Sequence, residues 1–233
     1  MPTDGVERSW RSLYVVADVH GERGRLATAL DALDDRPVVL VGDYVDRGPD
    51  TRGTLELLAD VTRSRDDVVC LRGNHENRLL EFLRDGAAAF PGGGAAETVR
   101  SYLPDAPPYE TPGELPPSVW VEFRTGFPAD HLDLIAGMPL WFETPDLFVS
   151  HAGPNPDAPD LRTAAALTLG GPERFRRATS APFAKTVACG HYIQRSGVPW
   201  LGERFIAIDL GCGTFADRPL AVLVWPERTV RTF

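Results

Sequence analysis

Two carboxylates and a guanidinium are crowded onto one short turn of this sequence, Gly42-Asp43-Tyr44-Val45-Asp46-Arg47-Gly48, directly after the apolar run Pro37 to Val41. A strand that empties into such a loop sets its charged side chains at one edge of a sheet. Glycines at both ends let the backbone bend sharply. A solvated turn with a local Asp–Arg pair would carry the same residues, so the loop alone does not make a site. The same arrangement, apolar run then polar cluster, recurs along the chain. Asp18-Val19-His20 follows Val15 to Ala17, Arg72-Gly73-Asn74-His75-Glu76 follows Val68 to Leu71, Ser150-His151-Ala152-Gly153 follows Leu147 to Val149, and Gly190-His191 follows Val187 to Cys189. Four of the five histidines stand in these clusters. Carboxylate and amide oxygens with imidazole nitrogens, and no thiolate positioned among them, suit divalent cations. Manganese is the first choice, with iron or zinc as alternatives.

Taken together, Asp-x-His, Gly-Asp-x-Val-Asp-Arg-Gly, Gly-Asn-His-Glu and two separated histidines resemble the phosphoprotein phosphatase branch of the calcineurin-like metallophosphoesterases. All five blocks occur in order between Asp18 and His191. Ala17 and Ala152 stand where that branch usually has glycine. The resemblance implies two divalent metal ions: Asp18 and His20 on the first, Asp43 bridging both, and Asn74, His151 and His191 completing the second. It also implies that His75, oriented by Asp46, protonates the leaving alkoxide. An imidazole paired with a carboxylate suits that task. Arg47 can fork two hydrogen bonds onto phosphate oxygens, which lysine cannot reproduce. Arg72 is expected to brace the loops. The branch usually supplies a second clamping arginine in a Trp-x-Arg context, which is missing here; Arg162, Arg174, Arg176 and Arg177 lie in the gap. Asp209 is expected either beside the ligands or as a loop cap.

The rest of the composition narrows the setting. A chain of 233 residues with 43% hydrophobic residues supports one domain, 1–233, more readily than two. A net charge of −9 argues against binding nucleic acid or anionic membranes through a basic face. Bound metal ions can still invert the sign of a local site. Three cysteines without a Cys-x-x-Cys pair make no disulfide framework and no zinc ribbon. No apolar run approaches the length of a membrane span, and a cytoplasmic location is expected.

The elements that must position these clusters follow from periodicity. Residues 1 to 12 read as a short leader, and Leu13 to Ala17 as the first strand. Leu26, Ala29, Leu30 and Leu33 recur at helical spacing and return the chain to a strand at Val38 to Val41. Asp50 can cap a second helix, which leads to a strand at Val68 to Leu71. A helix over Asn77 to Leu83 follows, with Gly-Asn-His-Glu at its N-terminus, where anions are favoured. The texture from about 85 to 145, with a helix near Ala95 to Tyr102 and a proline-dense run, reads as an inserted cap, and bacterial members of the resembled family carry a small helical insert here. His131 falls in a helical stretch and is not expected to ligate. Phe205 to Leu210, Leu220 to Trp225 and Thr229 to Phe233 read as a meander finishing a second sheet. These features give an α/β fold of two facing mixed β-sheets flanked by helices, with a small cap insertion, which the resemblance also implies.

The leading expectation is therefore a dimetal phosphomonoesterase acting on phosphoserine or phosphothreonine proteins or on small phosphate esters. The alternative is a dinucleotide polyphosphate hydrolase resembling diadenosine tetraphosphatase. A catalytically inactive scaffold is a remote third, since such a protein would be expected to lose Asp43, Asn74 or His151. Oligomeric state is left open.

Overall fold

The computed structural model describes residues 5–85, 93–106, 115–155, 160, 162–170 and 184–233. The chain enters through β1 (Gly5–Glu7) and crosses directly into the opposite sheet as β2 (Leu13–Val16). The expected leader is thus corrected, because part of it pairs in parallel with a later strand, β5 (Trp141–Glu143). Gly-Val-Glu carries no apolar run that would have announced it. Gly5 is nevertheless required there, since a β-carbon at that position would lie 1.9 Å from the Trp141 ring.

Helix α1 (Arg23–Ala32) carries the chain from β2 to the parallel strand β3 (Val38–Leu40). Helix α2 (Thr51–Ser64), capped by the Asp50 side chain accepting from Gly53 N, carries it to β4 (Val68–Cys70). Both expected βαβ units are present. The next helix, α3 (Asn74–Asp85), begins three residues earlier than periodicity suggests, so that Asn74, His75 and Glu76 form its first turn.

Helices α4 (Ala95–Tyr102), α5 (Pro117–Gly126) and α6 (Ala129–Gly137) occupy the stretch expected as a cap. Their buried side chains, among them Val99, Phe123 and Ile135, join the same apolar cluster as β2, β3 and β10 (Ala221–Trp225). The stretch also supplies β5 to the larger sheet. His131 is buried on α6, with its Nδ1 2.6 Å from the Tyr102 hydroxyl and far from any ligand role.

Strand β6 (Leu147–Ser150) pairs antiparallel with β5 and parallel with β7 (Thr186–Cys189); the short helix α7 (Ala164–Thr168) lies between them in sequence. The two-residue strand β8 (Trp200–Leu201) and β9 (Phe205–Ala207) complete a six-stranded sheet of order β1-β5-β6-β7-β9-β8. The five-stranded sheet has the order β11-β10-β2-β3-β4, with β11 (Thr229–Thr232) at its edge.

The expected meander is therefore formed only in its last turn, where β10 pairs antiparallel with β11. β9 lies parallel to β7 in the larger sheet, whereas β10 pairs antiparallel with β2 in the smaller one. Alternating apolar residues give a strand its inward face but not its neighbours. The connection from β9 to β10 crosses between the sheets through Gly211 and Gly213, both at positive φ. Two mixed sheets flanked by helices result, as expected. No described helix is long and apolar enough to cross a membrane.

Candidate metal centre

Because β2, β3 and β4 are mutually parallel, and β6 and β7 likewise, five carboxyl-terminal strand ends can open on one region. Their loops bring Asp18 and His20, Asp43 to Arg47, Asn74 to Glu76, His151 and His191 together. The crevice beyond such strand ends is where α/β sheets bind ligands.

The backbone there is strained. His20, Asp43, Asp46, Arg47 and His191 all have φ between 45° and 71°. Non-glycine residues in this region cost on the order of 1–3 kcal/mol each and persist only where their surroundings over-determine them. The surroundings here are specific. The buried Glu76 carboxylate accepts from Asp43 N (2.8 Å), Tyr44 N (2.7 Å), Val45 N (3.2 Å) and Gly73 N (2.9 Å). At the other end of the loop, Arg47 N donates to Gly94 O at 3.0 Å and Asp46 N to Thr98 Oγ1 at 2.8 Å. A β-carbon at Gly42 would lie 2.5 Å from Gly73 N, so glycine is required where the two loops touch.

Asp43 is the hub. Its Oδ2 lies 3.3 Å from His151 Nε2 and 3.7 Å from both His20 Nε2 and His75 Nε2. Asn74 Oδ1 lies 2.9 Å from His151 Nε2 and 2.9 Å from His191 Nδ1. Donor atoms of His20, Asp43 and His75 fall within 4.8 Å of one another, as do those of Asp43, His151 and His191. Asp43 thus belongs to both groups. The Asp18 carboxylate accepts from His191 N at 3.0 and 3.1 Å, tying the ends of the two sheets together.

Burial and mutual charge set the protonation states. Burial lowers His20 to about 3, and burial with the neighbouring His151 lowers His191 to about 4, so both are neutral imidazoles, the form that binds metal. For His151 burial also favours the neutral ring, but Asp43 and Asp18 outweigh it and push the value up to about 9. Burial and the nearby Asp209 hold Asp18 well above the usual carboxylate range, whereas Asp43, despite burial, is held well below it by His151 and His75. Asp209 is pushed up to about 6 by burial, while its carboxylate accepts from Gly211 N at 2.7 Å. Asp209 therefore both caps a loop and sits in the field of the cluster.

The donor set fits a pair of divalent ions. His20 Nδ1 lies 2.9 Å from the Val45 carbonyl, which requires a proton on Nδ1 and turns the Nε2 lone pair toward Asp43. Asn74 Oδ1, His151 Nε2 and His191 Nδ1 face one another, with only oxygen and nitrogen offered. His151 Nδ1, on the far side of that ring, is buried without a hydrogen-bond partner among the described residues.

His75 Nδ1 lies 2.6 Å from Asp46 Oδ2, so the two side chains expected to pair are in contact. The other Asp46 oxygen accepts from the Thr98 hydroxyl at 2.7 Å, and Thr51 Oγ1 lies 3.2 Å from Thr98 Oγ1. Thr98 was not among the expected site residues, although it falls in the helix expected near Ala95 to Tyr102. Arg47 reaches into the centre and contacts His20 Nε2 (2.8 Å), His75 Nε2 (3.1 Å) and Thr214 Oγ1 (2.6 Å). Thr214, in the loop between β9 and β10, gives no sequence signal.

Arg72 N donates to Pro139 O at 2.9 Å and its guanidinium reaches Ala136 O, contacts that brace the loop. Arg162 lies against the Trp141 ring (4.2 Å) and beside Glu143, away from the cluster. Arg174, Arg176 and Arg177 lie outside the described residues.

A dimetal-type donor cluster at the strand ends of a two-sheet sandwich defines a metallophosphoesterase architecture. Residues 11–195 match the family model for calcineurin-like phosphoesterases, and the chain belongs to that family. One stretch is 37% identical over 78 residues to serine/threonine-protein phosphatase 1 of Salmonella typhimurium, covering 32% of this chain and 34% of that protein. Another match, 39% over 71 residues, is to the symmetrical bis(5'-nucleosyl)-tetraphosphatase of Pseudomonas putida, covering 29% of this chain and 24% of that protein. These matches span about a third or less of those relatives. Over the whole fold, the chain superposes with a TM-score of 0.66 on a crystal structure of a protein provisionally assigned as a diadenosine tetraphosphatase, at 20% identity and covering 98% and 96% of the two chains.

Proposed function

We propose that this protein is a dimetal phosphomonoesterase that hydrolyses phosphoserine and phosphothreonine esters. The observation that carries the reading is the buried His75–Asp46 pair set 3.7 Å from the shared carboxylate Asp43. In this reading Asp18 and His20 would hold one ion, Asn74, His151 and His191 the other, and Asp43 would be shared by both. Manganese fits the oxygen-rich donors, with iron or zinc as alternatives. Two divalent ions supply Lewis acidity to the phosphoryl oxygens and to the attacking water.

The chain's own residues do the rest. Arg47, which here donates to two imidazoles, swings its fork onto phosphate oxygens when the ester enters. His75 Nε2 is then free to carry the proton that the departing alkoxide takes, while Asp46 stabilises the imidazolium through Nδ1. Thr98 keeps Asp46 turned toward the ring. The intact donor set weighs against an inactive scaffold, and three free buried thiols suit a cytoplasmic setting.

A second reading, hydrolysis of dinucleotide polyphosphates, draws on the tetraphosphatase of Pseudomonas putida and the similar crystal structure. Purified protein, chelated and then reloaded with Mn²⁺, should be offered p-nitrophenyl phosphate, phosphoserine and phosphothreonine peptides, and diadenosine tetraphosphate. Metal-dependent turnover of the peptides, lost in Asp43→Asn, is expected. Turnover of the dinucleotide alone would favour the second reading, and full activity of the chelated protein would overturn both.

A further inference from the structure

Beside the metal centre, α3, α6 and α7 enclose a groove of about 780 Å³ that shares Asn74 with the centre. Among the described residues lining it are three arginines, Arg72, Arg78 and Arg84, and one carboxylate, Glu81. That is a local cationic surface on a chain of net charge −9. The remaining walls include the aliphatic side chains Leu80, Leu83, Leu132 and Leu169, and no aromatic ring lines the groove among the described residues. Leu132 and Leu169 are themselves exposed.

Arg78 connects groove and centre. It stands three residues after His75 on α3, so the two side chains share one helix face. A β-carbon at Gly93 would lie 3.3 Å from His75 Cε1 and 3.5 Å from Arg78 Nη1; the glycine leaves the imidazole and the guanidinium side by side over one small space. Arg78 is exposed and enters no ion pair among the described residues. At the far wall, Asn77 Nδ2 donates to Thr168 Oγ1 at 3.2 Å, which ties α7 to α3 across the groove.

We propose that this groove is the peptide-side subsite of the phosphatase, and that it takes an acidic and aliphatic segment flanking the phosphorylated residue, with Arg78 pairing the acidic side chain nearest the phosphoester. The proposal rests on the phosphomonoesterase reading and names its substrate class. Charge complementarity supplies the guanidinium contacts, and continuity through Asn74 means that a chain leaving the reacting phosphate enters the groove directly. The aliphatic walls suit leucine-like side chains better than a nucleobase, for which an aromatic stacking platform is the usual partner.

The test uses the full chain loaded with Mn²⁺ and three phosphoserine peptides identical except for glutamate, glutamine or lysine at the flanking positions. The native protein should prefer the acidic peptide by about fivefold in kcat/KM, the upper end for an exposed ion pair. The preference should shrink as salt is raised. Arg78→Ala should abolish it, and Arg78→Glu should invert it toward a lysine-flanked peptide. Turnover of p-nitrophenyl phosphate, which carries no peptide, reads the metal centre separately, and each variant's peptide preference is taken as a ratio between peptides so that any change at the neighbouring His75 cancels. Peptide affinities measured by fluorescence anisotropy decide the same point without turnover. Loss of all hydrolysis would therefore overturn the phosphatase reading while the affinities still judged the groove. Equal affinity for acidic and neutral peptides, or a preference untouched by Arg78→Glu, would overturn the proposal. So would Arg78 dependence confined to diadenosine tetraphosphate, which would assign the groove to a polyphosphate.

Discussion

Thr98→Val removes one hydroxyl from a buried site and leaves the side-chain shape nearly unchanged. In the native protein that oxygen accepts from Asp46 N at 2.8 Å and donates to Asp46 Oδ1 at 2.7 Å, and the residue has no exposed surface. Valine leaves the amide without an acceptor, which costs about 1–3 kcal/mol, and deprives a carboxylate of a donor worth about 1.5–3 kcal/mol. The two terms overlap, because a loosened Asp46 recovers part of each, so a loss of about 3 kcal/mol is expected. Against a typical stability of about 5–15 kcal/mol the variant still folds. Its urea midpoint should fall with an unchanged slope. The functional effect is indirect, since Asp46 is freer to turn away from His75 Nδ1. If about 1.4 kcal/mol of that freedom is felt in the transition state, turnover of a phosphoserine peptide drops about tenfold. An aryl ester, whose leaving group needs no proton, should lose much less. Thr98→Ser keeps the hydroxyl and should restore the ratio of alkyl to aryl rates. A valine variant with native stability and a native rate ratio would refute the reasoning, and so would a serine variant as impaired as valine.

Two further outcomes follow from the same geometry. His75→Asn should lower kcat on phosphoserine peptide by roughly 10²–10⁴, the usual contribution of a general acid, and lower it far less on p-nitrophenyl phosphate; equal losses would make His75 a metal-site residue instead. His131, whose pKa is lowered by burial and whose Nδ1 meets the Tyr102 hydroxyl, favours the fold in its neutral form. The unfolded chain therefore binds more protons than the folded one as pH falls below the ordinary histidine value of about 6.5, and stability should decline there. His131→Asn should flatten that slope in thermal melts taken between pH 7 and 5.

Where the sequence was readable, the reason is that side-chain chemistry and local period coincide. The runs at Val15, Val39 and Val69 are buried on both faces of one sheet, so each reads as an uninterrupted apolar strand that ends at its polar cluster. The clustered polar residues could be named because Asp43, Asn74 and four histidines stand just after apolar runs of this kind. Contacts between distant elements were not legible. Gly5–Glu7 is a strand only because β5 offers it an edge, and Phe205–Ala207 lies apart from Ala221–Trp225 only because the chain changes sheets between them. Nor does an isolated threonine disclose that it will lie against Asp46, 52 residues earlier in the chain. Glu76 was expected to support a helix start; that it gathers the loop of Asp43 to Val45 depends on β3 and β4 being neighbours.

That gathering by Glu76 has a consequence for how phosphate can be held. Clustered main-chain N–H groups at a helix N-terminus are a ready anion hole, and many phosphate-binding loops use them directly. Here the N–H groups of Asp43, Tyr44, Val45 and Gly73, at the mouth of α3, already face an anion, and that anion is part of the chain. Glu76 acts as a resident competitor that no substrate can displace without dismantling the loop. Those four N–H groups are thus already occupied, and under the proposed phosphomonoesterase reading an incoming phosphate would be met instead by cations, the bound ions and the guanidinium of Arg47. On that reading, affinity for phosphate would follow metal loading.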